Sequence, residues 1–162
     1  MNILQAVFLV ALGAAGASTA AEVAKAGEQV SRPLRKELVS LAHQVASEMG
    51  DYNLDYSHRS VQDVEEILAD FHKLYASTGQ TEGMNGIAME FAAYLVATIE
   101  RNGGDGRWEV NHPEFGDGSF PFYWRESTLF PLAWCQKRIF DGEADNVWSK
   151  YQALVLATSS SK

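Results

Sequence analysis

Asp55 and His58 lie close together in the run Asp51-Tyr52-Asn53-Leu54-Asp55-Tyr56-Ser57-His58. A carboxylate and an imidazole at that spacing could work as an acid–base pair. They also suit a turn whose side chains cap backbone N–H groups ahead of a helix. Further on, Glu65, Glu66, Asp70 and His72 fall in a helical stretch. Glu66 and Asp70, four apart, share one face and could hold a cation with help from elsewhere, although a solvated acidic face explains them as well. The loop from Asp105 to Asp117 adds Glu109, His112 and Glu114 at irregular spacing. These are oxygen and nitrogen donors without the Asp-x-Asp-x-Asp-Gly frame of a calcium loop. Cys135, the single cysteine, sits among apolar neighbours in Leu132-Ala133-Trp134-Cys135, which suits a buried thiol. A single cysteine also excludes an internal disulfide and a cysteine-rich zinc site. The chain contains no Gly-x-Ser-x-Gly, phosphate loop, His-Glu-x-x-His or paired cysteines. The reading therefore assigns no catalytic residue, no metal ligand and no cofactor.

Binding is the better-supported chemistry. Six of the 18 aromatic side chains fall within 15 residues, as Phe120, Phe122, Tyr123, Trp124, Phe130 and Trp134. Most of that block must be core, but a strand has two faces, and large aromatics beside arginine make interaction hot spots. Tyr123, Arg125 and Trp108 are the expected binding residues. The net charge of −8 lies wholly in residues 51–162, because Lys25, Arg32, Arg35 and Lys36 balance Glu22, Glu28, Glu37 and Glu48 in the first fifty. An acidic body repels phosphate backbones and steers basic protein surfaces inward, so the expected partner is a protein and not a nucleic acid.

The elements that must carry these residues follow from periodicity. Ser31 before Pro33 marks a helix start, and Leu34, Leu38, Leu41, Ala42, Val45 and Met49 step at three and four residues up to Gly50. Ser60 with Asp63 resembles a capping box for a second helix through Val61, Val64, Leu68 and Phe71, ended by Ser77-Thr78-Gly79. A third helix runs from Met84 to Glu100 and stops at Asn102-Gly103-Gly104. The period then changes to two, predicting antiparallel strands near 107–111 and 119–125, with Pro121 at an edge or beside a bulge. Pro131 opens a short fourth helix, and Asp145 is expected to cap a last one. The fold class is α+β, a helix-dominated single domain over 33–158 with a small sheet, with 22–32 as a tether and 159–162 as a tail.

The opening residues bear on location. Residues 1–21 carry no charged side chain. Residues 3–12 suit the apolar core of a signal peptide, followed by the small-x-small patterns Ala15-Gly16-Ala17 and Ser18-Thr19-Ala20. The same stretch is about long enough to anchor in a membrane, with Gly13 and Ala17 as a helix-pairing face. A helix buried in the protein is the third reading. Export to the bacterial envelope or anchoring in its membrane leads, and a cytoplasmic chain with a buried first helix is the alternative.

Three separated stretches share one order. Leu54-Asp55-Tyr56-Ser57 comes first, then Ala93-Tyr94-Leu95 running into Asn102-Gly103-Gly104 and Trp108, then Leu129-Phe130-Pro131 with Lys137-Arg138 and Asp141-Gly142-Glu143. The set resembles a family of small, mostly uncharacterised bacterial domains and covers about 51–152. The family tends to carry Gly-Glu after the Tyr-Leu of its third helix, where this chain has Val96-Ala97. The resemblance implies fold boundaries and brings no activity with it. The functional expectation is a non-catalytic, envelope-associated protein-binding module, of which an immunity protein is one form. A subunit of a membrane complex held by its first helix, or an envelope hydrolase, are the alternatives.

Overall fold

The structure is a computed structural model that describes residues 27–159. The signal, anchor or buried-helix readings of 1–21, and the first part of the tether, lie outside the described residues. Among the described residues no helix is long and apolar enough to cross a membrane.

The helices form where the three-and-four spacing puts them. α1 spans Arg32–Glu48, with the Ser31 hydroxyl accepting from the Leu34 N–H at 3.4 Å and proline in the first turn. α2 spans Ser60–Thr78 and ends on Gly79, whose φ of +69° closes the turn in the left-handed region. α3 spans Met84–Gly103 and is the central helix. Ile87, Phe91, Tyr94, Leu95 and Ile99 are all buried along it, and α1 and α4 pack against it. α4 spans Pro131–Phe140 and bridges α3 to α2. A 3-10 turn, Glu143–Asp145, leads into α5, Val147–Tyr151, which continues through a π-helical turn, Gln152–Leu156.

The sheet has three antiparallel strands in the order β1 (Arg107–Trp108), β2 (Phe122–Trp124), β3 (Ser127–Leu129). Trp108 pairs with Phe122, and Phe122 in turn with Leu129, so these three side chains share the buried face. The molecule is thus helix-dominated α+β, as the sequence pattern implies.

Four local details differ from the expectation. The hydroxyl capping the start of α2 belongs to Ser57, which accepts from the Ser60 N–H. Ser60 itself is buried and bonded to Tyr94, while Asp63 accepts from the Asn53 N–H. Asn146 caps α5 by accepting from the Ser149 N–H, and Asp145 pairs with Lys150 instead. β3 is a strand that alternation does not reveal, reached from β2 through the two-residue turn Arg125-Glu126. Finally, the described end of the expected tether is pinned to the sheet by an isolated β-bridge. Gln29 bridges Glu109, the Val30 N–H donates to the Trp108 carbonyl at 2.9 Å, and the Val110 N–H donates to the Glu28 carbonyl at 3.1 Å.

Gly106 lets α3 pass directly into the sheet. A Cβ there would press into the Phe122 ring and lie 2.9 Å from the Tyr123 carbonyl oxygen. Gly106→Ala is therefore expected to lose about 1–3 kcal/mol, read as a lower urea midpoint at unchanged slope. Gly86, exposed within α3, meets nothing within 4 Å. Gly86→Ala should move the midpoint the other way, by about 0.4–1 kcal/mol. Equal midpoints for the two variants would show that this packing at Gly106 yields freely.

Candidate functional site

Most of the chemistry-bearing side chains are occupied in holding the fold. Asp55 accepts from the Ser57 N–H at 2.9 Å, and hydrogen bonds from the Ser57 hydroxyl and N–H hold its carboxyl below the usual range. His58 turns away from it, its Nδ1 sharing a 2.7 Å hydrogen bond with the Tyr151 hydroxyl. Glu65 accepts from Arg138 Nε and from the Val147 N–H, tying α2 to α4 and α5. His72 Nδ1 donates to the Ile139 carbonyl at 2.8 Å, and Asp70 accepts from exposed Lys73. Glu109 is buried beside Arg107. Cys135 is fully enclosed, and burial raises its thiol well above the ordinary range. Among the described residues no three His, Cys, Asp or Glu side chains gather where they could hold a metal ion.

The turn at residues 54–57 and α3 interlock. The Tyr94 hydroxyl accepts from the Tyr56 N–H and shares a 2.7 Å hydrogen bond with Ser60. Asn102 donates to the Tyr56 carbonyl at 2.8 Å. Tyr56 holds a φ of +62°, costly for a non-glycine residue, and these bonds fix it there.

Trp108, Tyr123 and Arg125 occupy three different places. Trp108 is buried, and its Nε1 donates to the Phe120 carbonyl at 3.1 Å. Tyr123 points to the opposite face of the sheet, where the Arg107 guanidinium lies 4.3 Å from its ring centroid. Residues two apart on a strand share a face, but the strand ends at Trp124 and Arg125 has a φ of +54°. That turn lays the Arg125 guanidinium over the Trp124 ring and sends its Nη1 to the Thr158 carbonyl.

A surface with room for a ligand lies at the tip of the hairpin that joins β1 to β2. His112 and Gly116 exchange both backbone hydrogen bonds, Ser119 accepts from the His112 N–H, and Asn111 accepts from the Gly118 N–H at 2.7 Å. Gly116 and Gly118, with φ of +82° and +70°, supply the left-handed residues the tight reversal requires. The tip so braced holds Phe115 outward at 65% exposure, its ring centroid 4.8 Å from Phe130 and 5.0 Å from His112. Between this tip and α4 opens a groove of about 680 Å³ with an apolar lining of Phe115, Phe130, Leu132 and Trp134. That volume is in the range that accommodates a few side chains of a peptide or a compact small molecule. At its far end Lys150 donates to the Asp145 carboxylate at 2.6 Å, and Lys150 and then Lys137 keep that carboxyl below its usual range.

Sequence reasoning missed Phe115. The available signal was a large aromatic within Pro113-Glu114-Phe115-Gly116-Asp117-Gly118, a turn-forming run with no other large apolar side chain to pack against. No family model, curated protein or solved structure matches the chain, so its function is read from the site itself.

Proposed function

We propose that this domain is a non-catalytic protein-binding module of the bacterial envelope, and that its binding surface is the groove beneath Phe115. The observation that carries the reading is Phe115 itself. A phenylalanine held two-thirds exposed by a hydrogen-bonded hairpin tip, over an apolar groove, has the makings of an interface anchor. The engagement of Asp55, His58, Glu65 and His72 in structural bonds adds support. The net charge of −8 favours rapid association with a basic partner, as an immunity protein has with a toxin.

A photo-crosslinking phenylalanine at position 115 in intact cells should give one discrete heavier species, and the same probe at exposed Glu82 should give none. With that partner purified, Phe115→Asp should weaken binding by about ten- to a hundredfold. Equal adducts at both positions, or an unchanged Kd, would overturn the reading.

A further inference from the structure

Glu90 is the only charged side chain among the buried residues of α3. It is 8% exposed, and among the described residues its carboxylate has no hydrogen-bond or ion-pair partner. The one side-chain polar atom there that is both fully enclosed and unbonded is Arg138 Nη1, so the Glu90 oxygens still meet solvent. A helical side chain leans over the turn N-terminal to it, which directs Glu90 toward Gly86. Gly86 is exposed, and a Cβ on it would meet nothing within 4 Å, so the way to the carboxylate is open on that side. Across the seam, α1 packs on α3 and ends at Glu48, whose charge bears on Glu90. Gln44 steadies Glu48, its amide donating to Oε1 at 3.1 Å. The last turn of α1 holds no basic residue, so the negative end of the helix dipole has no cation of its own there.

Glutamine would fill the same space on α3 with no charge to desolvate, so packing alone does not account for a carboxylate. Two carboxylates are too few for a metal ion, and among the described residues no third donor of that kind joins them. A guanidinium fits the arrangement, because its planar fork of five N–H donors can serve two carboxylates at once. We propose that the seam between Glu48 and Glu90 is a socket for an arginine side chain of a basic protein partner. The inference rests on the preceding reading only for the partner's being a basic protein, and the socket lies apart from the residues that line the groove. An arginine seated there supplies the counter-charge and the donors that the free domain lacks at this point.

The test follows the Glu90 carboxyl by 13C NMR in the purified full chain, with N-acetylarginine amide as the probe. A single side-chain contact of this kind gives a Kd of about 1 mM. At roughly 10 mM probe, the midpoint of the Glu90 titration should fall by about one pH unit, which is tenfold in proton affinity. Tetramethylammonium at the same concentration, a cation without N–H donors, should move it by less than about a quarter of that. Glu48→Gln should cut the response to the arginine probe by about threefold or more, since one of the two acceptors for the fork loses its charge. Glu126→Gln, in the exposed turn between β2 and β3, should leave the response whole. No movement with the arginine probe, equal movement with both cations, or a full response in Glu48→Gln overturns the proposal. The two readings fail separately. An inert Glu90 beside a discrete adduct at position 115 sinks only the socket, and a responsive Glu90 without that adduct sinks only the groove.

Discussion

Glu65→Leu is expected to cost about 3–5 kcal/mol. Glu65 is the acceptor that three elements share, taking Arg138 Nε on one oxygen and the Val147 N–H on the other. The Arg138 side chain is only 7% exposed, and among the described residues its Nη1 finds no hydrogen-bond partner even with Glu65 present. Removing the carboxylate leaves a guanidinium buried and uncompensated, which costs far more than the net worth of the pair. Arg138→Met in the same chain should recover part of that loss. The double variant should be more stable than Glu65→Leu alone, held back only by the Val147 N–H, worth about 1 kcal/mol. Urea midpoints of the two single variants and the double decide it, and additive losses would show that the pair does not act as a unit.

Glu90→Gln is expected to change how stability depends on pH. Glu90 lies on α3 at 8% exposure, and burial first, then the charge of Glu48, pushes its carboxyl up from 4.5 to about 7. The folded state thus binds this proton more tightly than the unfolded chain does. The sign follows directly. Glu90 costs nothing below pH 4.5, where it is protonated in both states, and its penalty grows as pH rises and is complete above about 7. The full penalty is on the order of 3 kcal/mol. The parent should therefore lose most of that stability relative to Glu90→Gln between pH 5 and pH 8, with the variant the more stable at pH 8. Thermal melts across that range give the difference, and parallel curves for the two chains would remove Glu90 as the source.

The helices were legible because each carries its own instructions. Leu34 through Met49 step correctly for one buried stripe, Ser31 and Pro33 start the turn, and Gly79 closes the next helix at a positive φ. The sheet was legible only where alternation ran long enough. The hairpin between β2 and β3 turns on Arg125-Glu126 with a positive φ at arginine, a place usually given to glycine, so no Asn-Gly or Gly-x signal announces it. The bridge at Gln29 depends on a partner eighty residues away and shows no pattern of its own. The same turn parts Tyr123 from Arg125, which an unbroken strand over 119–125 would put on one face. Phe115 escaped the periodic reading for a different reason. Periodicity reports which side chains are buried, and the groove is defined by one that is not.

Cys135 gives the molecule a memory. Its sulfur is enclosed at 0% exposure on α4, so oxidants and alkylating agents reach it only when the core comes apart. With no second cysteine in the chain, an opened copy in oxidising surroundings cannot close an internal bridge. It bonds to a neighbour or oxidises further, and either product bars the sulfur from returning to its place. Each excursion out of the native state is thereby recorded in covalent form, and the fraction of modified thiol in an ageing population dates how often its members have opened.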